Sequence, residues 1–420
     1  MKPFPLVRTL GLLILIALQA NAASFALKDG DRVVFYGDSI TDQRLYTTFT
    51  ETYVVTRFPK LDVSFVHSGW GGDRVTGGGG GSIEIRLPRD VYAYKPTVMT
   101  IMLGMNDGSY RAFDEKIFET YSKGYQHIIS AVRKELPGIR ITAIQPSPFD
   151  DVTQAPKFDG GYNAVLLRYS DFIQDLAVME KLNVADLNRP VVAALEKARV
   201  TDAELAKKII PDRVHPGPGG HLLMAGQLLK SWNAPATVSA VEIDAGAKKV
   251  MEAKMSKVSD LKVGEAISWT QLDQALPMPV DLGDSVVALA VKSSDFIQSL
   301  NQQTLKVTGL TAASYELKID GSEVGSFGKD QLAEGINLAI LPTPMARQAG
   351  DVHKLTLQHN NIHFKRWRTV QVPMADDKTP GVQKAVKGLM DALDAEEAGV
   401  VQQQRATAQP KPHQFQLTPK

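Results

Sequence analysis

Between residues 31 and 232, short apolar runs alternate with longer stretches of helical spacing, and few folds accommodate that rhythm. Residues 33–36, 63–66, 98–103, 139–144 and 183–186 are too short for helices. They fit strands of a parallel sheet, which is covered on both faces and so needs little polar alternation. Residues 46–58, 113–136, 163–180 and 221–232 read as helices. In the second of these, Ile117, Tyr121, Ile128 and Val132 share a face, and Pro137-Gly138 ends it. Gly219-Gly220 opens the last. Strand, loop and helix in repetition predict an α/β protein with a doubly wound, flavodoxin-like parallel sheet in a three-layer α/β/α sandwich.

The rhythm stops near residue 240, and at 420 residues the chain has length for a second unit. The sequence divides into a leader (1–22), the α/β domain (23–240), a helical connector (241–264) with its helix at 245–257, a smaller β-rich unit (265–375), a C-terminal helix (376–404) and a disordered polar tail (405–420). Within the β-rich unit, residues 286–291 and 315–319 read as strands. Asp320-Gly321 between 315–319 and 323–327 signals a hairpin. No solenoid-type repeat interrupts this plan.

Lys2 and Arg8 precede the apolar stretch 10–18, and Ala20-Asn21-Ala22 supplies small residues for cleavage after Ala22. This pattern predicts a periplasmic or secreted protein. Ten or so apolar residues do not span a bilayer, which takes about 20. The chain has no cysteine, hence no disulfide and no thiolate metal site. Its formal net charge is +1, which gives no reason to expect a nucleic-acid partner.

Four short motifs fall at the ends of the expected strands, where open α/β sheets gather function. Gly37-Asp38-Ser39 follows the first strand and Gly69-Trp70-Gly71-Gly72-Asp73 the second. Gly104-Met105-Asn106-Asp107 follows the third, and Asp212-Arg213-Val214-His215-Pro216 lies in a later loop. Each has a plain alternative: a capped turn, an Asx turn or a surface loop. Together, in this order, they offer a serine, a histidine, an aspartate and donors for a developing oxyanion, which acyl transfer requires.

The set resembles the SGNH (GDSL-type) hydrolases over roughly residues 31–232. The resemblance implies Ser39 as nucleophile, His215 as general base and Asp212 as its partner. It assigns the oxyanion hole to the backbone N–H groups of Ser39 and Gly72 and the side-chain amide of Asn106, with Gly69 the alternative to Gly72. His67 stands where the family often has asparagine, and reads as a local loop histidine. Trp70 and Asp107 are candidate substrate contacts, Trp70 as a flat face for a sugar ring or simply as loop packing. Gly77–Gly81 lacks the Lys-Ser/Thr of a phosphate cradle and reads as a flexible loop. Phe364-Lys365-Arg366-Trp367-Arg368 reads as a half-buried strand, or as a glycan contact. No cofactor and no metal site is implied; His215 and His221 lack metal-site spacing.

These readings lead to an exported serine esterase removing short acyl groups, acetate above all, from small-molecule or polysaccharide esters. A lipolytic esterase or thioesterase, or an acyltransferase, would use the same residues. A glycan-binding protein that kept the fold without the chemistry is the alternative of a different class. The sequence leaves oligomeric state open.

Overall fold

The computed structural model describes residues 24–420, so the leader and its cleavage site lie outside the described residues. The chain opens with strand β1 (Arg32–Gly37), the short helix α1 (Ser39–Asp42), α2 (Leu45–Arg57) and β2 (Ser64–Gly69). A small ladder of β3 (Gly77–Gly78) and β4 (Gly81–Ser82) leads into α3 (Ile83–Asp90). Then come β5 (Val98–Met102), α4 (Glu115–Glu135), β6 (Arg140–Ile144), α5 (Gly161–Glu180), β7 (Asn183–Ala185), α6 (Arg189–Thr201), α7 (Ala203–Ala206) and α8 (Pro218–Ser231).

The five longer strands form one parallel sheet in the order β2-β1-β5-β6-β7, the doubly wound arrangement expected. The reason is visible in β1 and β5: nearly every side chain of both is buried, so helices must cover both faces. Helix α4 begins where Asp114 accepts hydrogen bonds from the N–H groups of Lys116 and Ile117. It buries Tyr121, Tyr125, Ile128, Ile129 and Val132 against the sheet. Each such side chain contributes about 1.5–3 kcal/mol when fully removed from water.

The second half builds two further sheets. After β8 (Thr237–Asp244), β9 (Lys249–Lys254), β10 (Ser256–Val263) and β11 (Ile267–Asp273) come α9 (Ser285–Lys292), α10 (Phe296–Leu300) and β12 (Gln302–Thr308). Strands β13 (Ser314–Ile319) and β14 (Ser322–Gly328), α11 (Lys329–Glu334) and β15 (Ile336–Asn337) follow, then α12 (Pro344–Phe364), α13 (Pro380–Thr407) and β16 (His413–Pro419). One sheet runs β10-β11-β16-β13-β14 and the other β15-β12-β8-β9. Val241, Ile243, Trp269, Leu305, Leu317 and Phe415 belong to the core that these sheets share.

Several expectations are corrected here. Residues 245–257 are not a helix: β9 pairs with β8, and this pairing overrides the helix-forming Lys, Met, Glu and Ala of 249–254. Residues 286–291 are helical, not extended, because Asp284 caps α9 by accepting from Val286 and Val287 N–H. The tail is ordered: α13 continues through Arg405, and β16 lies between β11 and β13 with Phe415 and Leu417 buried. Residues 364–368 are helical rather than a strand, the end of α12 passing into a wider turn over Lys365–Gln371. Gly77–Gly81 forms the β3–β4 ladder instead of an open loop. The Asp320-Gly321 hairpin joins β13 and β14 as its residues predict.

Candidate active site

The site begins at the carboxyl end of β1, where α1 sits directly on the strand ends. Two glycines allow that approach. A Cβ on Gly37 would collide with Thr41 Oγ1 and Met102 O, and one on Gly69 with the backbone of Thr41 and Asp42. Asp38 turns the chain by accepting the Ile40 N–H at 3.0 Å, which leaves Ser39 as the first residue of α1. From 176 residues away, His215 brings Nε2 to 2.8 Å from Ser39 Oγ. Its Nδ1 lies 2.7 Å from Asp212 Oδ2, while Asp212 Oδ1 accepts the N–H groups of Val214 and His215. Burial tends to raise the Asp212 carboxyl, but those hydrogen bonds hold it below its ordinary value, so it stays ionised beside the imidazole.

The loops after β2 and β5 leave the same end of the sheet as Ser39, because both strands flank β1 in parallel. Gly69 is committed to the sheet, paired with Gly37, whereas Gly72 lies beyond the strand with a left-handed φ of 78°. Among the described residues no protein acceptor takes the N–H of Ser39 or of Gly72. Asn106 donates through Nδ2 to Asp73 O at 3.0 Å and accepts from Tyr110 Oη at 2.9 Å. Ser109 and Tyr110 both have left-handed backbones (φ 57° and 55°), and that unusual pair swings the phenol back onto the amide. Burial, with Asp38 and Asp212 nearby, pushes the Tyr110 hydroxyl up to about 12, so it remains a donor.

A serine, a histidine and a carboxylate in one hydrogen-bonded line, with unengaged N–H groups at the same end of the sheet, is an arrangement able to form and hydrolyse an acyl-enzyme. The family of GDSL-like lipases and acylhydrolases matches this chain over residues 35–223, which contain Ser39, Gly72, Asn106, Asp212 and His215. Residues 35–223 are a GDSL-type ester hydrolase domain. A gut microbial diltiazem-metabolizing enzyme resembles the hydrolase over nearly its whole length, with 28% identity and a TM-score of 0.81 across 94% of this chain and 98% of that one. An acetyl xylan esterase from Geobacillus stearothermophilus is similar over 49% of this chain and 96% of its own (21% identity, TM-score 0.41). A lipase/acylhydrolase from Enterococcus faecalis is similar over 48% and 94% (18% identity, TM-score 0.34). No curated protein matches.

Two candidate substrate contacts of the hydrolase need correction. Asp107 is buried and accepts the Val75 N–H at 2.9 Å, so it ties the loop after β5 to the loop after β2 and does not meet solvent. Trp70 is no bare platform: the Arg368 guanidinium lies 3.6 Å from its ring centroid, and Trp367 packs edge-on at 5.7 Å. His67 is not in a loop either. It sits buried on β2, with Nδ1 2.6 Å from Thr47 Oγ1 and Nε2 3.4 Å from Glu51, remote from Ser39 in role.

Other residues shape the site without any sequence motif of their own. Arg213, inside the Asp212–His215 loop, has φ 74° and donates to Asp150 O, Asp151 Oδ1, Gln154 O and Ala155 O, which fixes the loop from below. His221 accepts the Tyr46 N–H at Nδ1 and meets Gln43 Oε1 at Nε2. Burial first, and His215 second, push it down to about 3, so it is neutral. In the turns after β1, β2 and β5, burial raises Asp38 to about 7 and Asp73 and Asp107 to about 6. A cavity of about 140 Å³ adjoins Asp212, lined in part by Tyr110, Phe149, Phe158, Tyr162 and Val214. Among the described residues, no group of three or more His, Asp or Glu side chains is arranged as a metal site. No described helix is long and apolar enough to cross a membrane.

Proposed function

We propose that this hydrolase is an exported serine esterase that cleaves short acyl esters of carbohydrates through an acyl-enzyme. Ser39 Oγ attacks the ester carbonyl as His215 Nε2 takes its proton, and Asp212 holds the imidazole and offsets its positive charge. The oxyanion is met by the N–H groups of Ser39 and Gly72 and by Asn106 Nδ2. His215 then gives the proton to the departing alkoxide, and water repeats the sequence to release the acid. The carrying observation is the unbroken line Ser39–His215–Asp212, at 2.8 and 2.7 Å, at the sheet end where the loop with the unengaged Gly72 N–H also emerges. A donor in that position contributes about 2.7–4 kcal/mol to the transition state.

The Gly-rich stretch 77–81, between the second and third motifs, carries no large apolar side chain to line a fatty-acyl tunnel, which supports a short acyl group. Export is read from residues 1–22, and a polysaccharide or small-molecule ester follows from the compartment. One observation favours a longer apolar group instead. A groove of about 690 Å³ lined by Phe49, Leu222, Leu282, Ile340 and Leu341 also includes Pro218, three residues after His215. Specificity constants for acetyl, butyryl and octanoyl esters of one alcohol separate the two. Each buried methylene adds about 0.8 kcal/mol, so a groove-bound chain gives rising values along the series. The short-acyl reading expects acetyl to be best and acetate to be released from an acetylated polysaccharide.

A further inference from the structure

The C-terminal half reaches the carboxyl end of the sheet through Arg368, which touches the loop that carries Gly72. Arg368 comes from the wide helical turn Lys365–Gln371 that follows α12. Its Nη1 donates to Asp42 Oδ1 at 3.0 Å and reaches Gly69 O at 3.4 Å, and its guanidinium covers Trp70. The other oxygen of Asp42, Oδ2, accepts the Gly71 N–H at 3.2 Å. Arg368 therefore touches Gly69 and Trp70 directly and Gly71 through Asp42, the three consecutive residues leading into Gly72. Asp42 closes α1, three residues after Ser39, so one carboxylate joins the nucleophile helix to the oxyanion loop.

The arginine itself is firmly placed. Next to it, Trp367 is buried and donates Nε1–H to Asp90 Oδ1 at 2.7 Å, while Arg366 pairs with Asp394 of α13. On the other side Arg44 donates to Asn361 Oδ1 at 2.9 Å and lies over the Phe364 ring. Arg368 and Asp42 are each about four-fifths buried, with side-chain exposures of 20% and 21%. Partial desolvation strengthens such a pair, and a planar guanidinium that both donates and stacks is not replaced by an ammonium.

We propose that Arg368 is a positioning residue of the esterase: through Asp42 it holds Gly71 and thereby aims the Gly72 N–H at the oxyanion. The second half of the chain thus completes the site and does not merely flank it. The claim rests on the acyl-enzyme reading of Ser39 and Gly72. It uses geometry that only matters when charge builds on the carbonyl oxygen, so its loss belongs in kcat. Misplacing a donor by about 1 Å costs up to 10²-fold in rate.

The test is steady-state kinetics of the full chain on nitrophenyl acetate for Arg368→Ala, Arg368→Lys, Asp42→Asn and the Arg368→Ala/Asp42→Asn double variant, with Ser39→Ala as control. Expected are a fall in kcat of about tenfold or more for Arg368→Ala with KM within about twofold, a similar fall for Asp42→Asn, and a double variant no worse than either single one, because they act as one unit. Lysine should recover only part of the loss. Wild-type kcat in Arg368→Ala, losses that multiply in the double variant, or a change confined to KM overturns the proposal. Should Arg368→Ala fail to fold, the isosteric Asp42→Asn decides alone: wild-type kcat there is equally fatal. Activity surviving in Ser39→Ala would instead overturn the underlying site reading, so the two failures are distinguishable.

Discussion

His359 Nε2 lies 2.5 Å from Glu51 Oε1, joining α12 to α2 in a pair shielded from water on both sides. Glu51 also meets His67 Nε2 and Gln404 Nε2, so one carboxylate collects β2, α12 and α13 around it. His359 faces Glu397 of α13 from its other nitrogen. The network is what seats the C-terminal helices, and with them Arg368, against the α/β half.

This arrangement gives stability a pH dependence. Burial alone would pull His359 down, but the Glu51 charge, with help from Glu397, lifts it from 6.5 to about 9. Its folded value lies above its unfolded one, so its contribution is whole below about 6.5 and fades as pH rises through about 9. Thermal unfolding followed from about pH 6 to about pH 10, which brackets that interval, should show Tm falling on the alkaline side. His359→Gln should start lower and lose most of that slope. An unaltered slope in the variant would mean that other groups set it.

Asn106→Ala should lower kcat by about 10²–10³ with little change in KM, since the amide is needed only as the oxyanion forms. Tyr110→Phe, which frees the amide Oδ1 but keeps the ring, should cost several-fold in kcat. A loss in KM alone for Asn106→Ala would make it a ground-state contact.

Deleting residues 413–420 should unfold the second half. It removes the strand between β11 and β13, exposes both as edges, and takes away Phe415, stacked on Trp269 at 5.1 Å, and Leu417. Each of those side chains contributes about 1.5–3 kcal/mol when fully buried. A melt by circular dichroism should lose cooperativity or drop by many degrees; a wild-type curve would show that β16 is dispensable.

The parallel sheet was readable because strands buried on both faces advertise themselves as apolar runs, as residues 33–36 and 98–103 do. Strand β9 carries no such mark: Lys249, Glu252 and Lys254 face water, and only pairing with β8 makes them extended. In β16 the signal was present, since His413, Phe415 and Leu417 alternate with polar residues, but its short period sits in a polar tail. Helix α9 was announced by its cap at Asp284, which β-branched Val286, Val287 and Val291 obscure. At the candidate site the motif residues were legible because acyl transfer restricts residue type. Arg213, Tyr110 and Arg368 were not, because their roles depend on backbone φ or on contacts hundreds of residues apart.

The most direct measurement is to trap the acyl-enzyme. Brief incubation with nitrophenyl acetate, acid quenching and peptide mass spectrometry should show one acetyl group on the peptide containing Ser39, with turnover lost by several orders of magnitude and no label in Ser39→Ala. Turnover persisting in a folded Ser39→Ala protein, or label settling on another residue, would contradict the account.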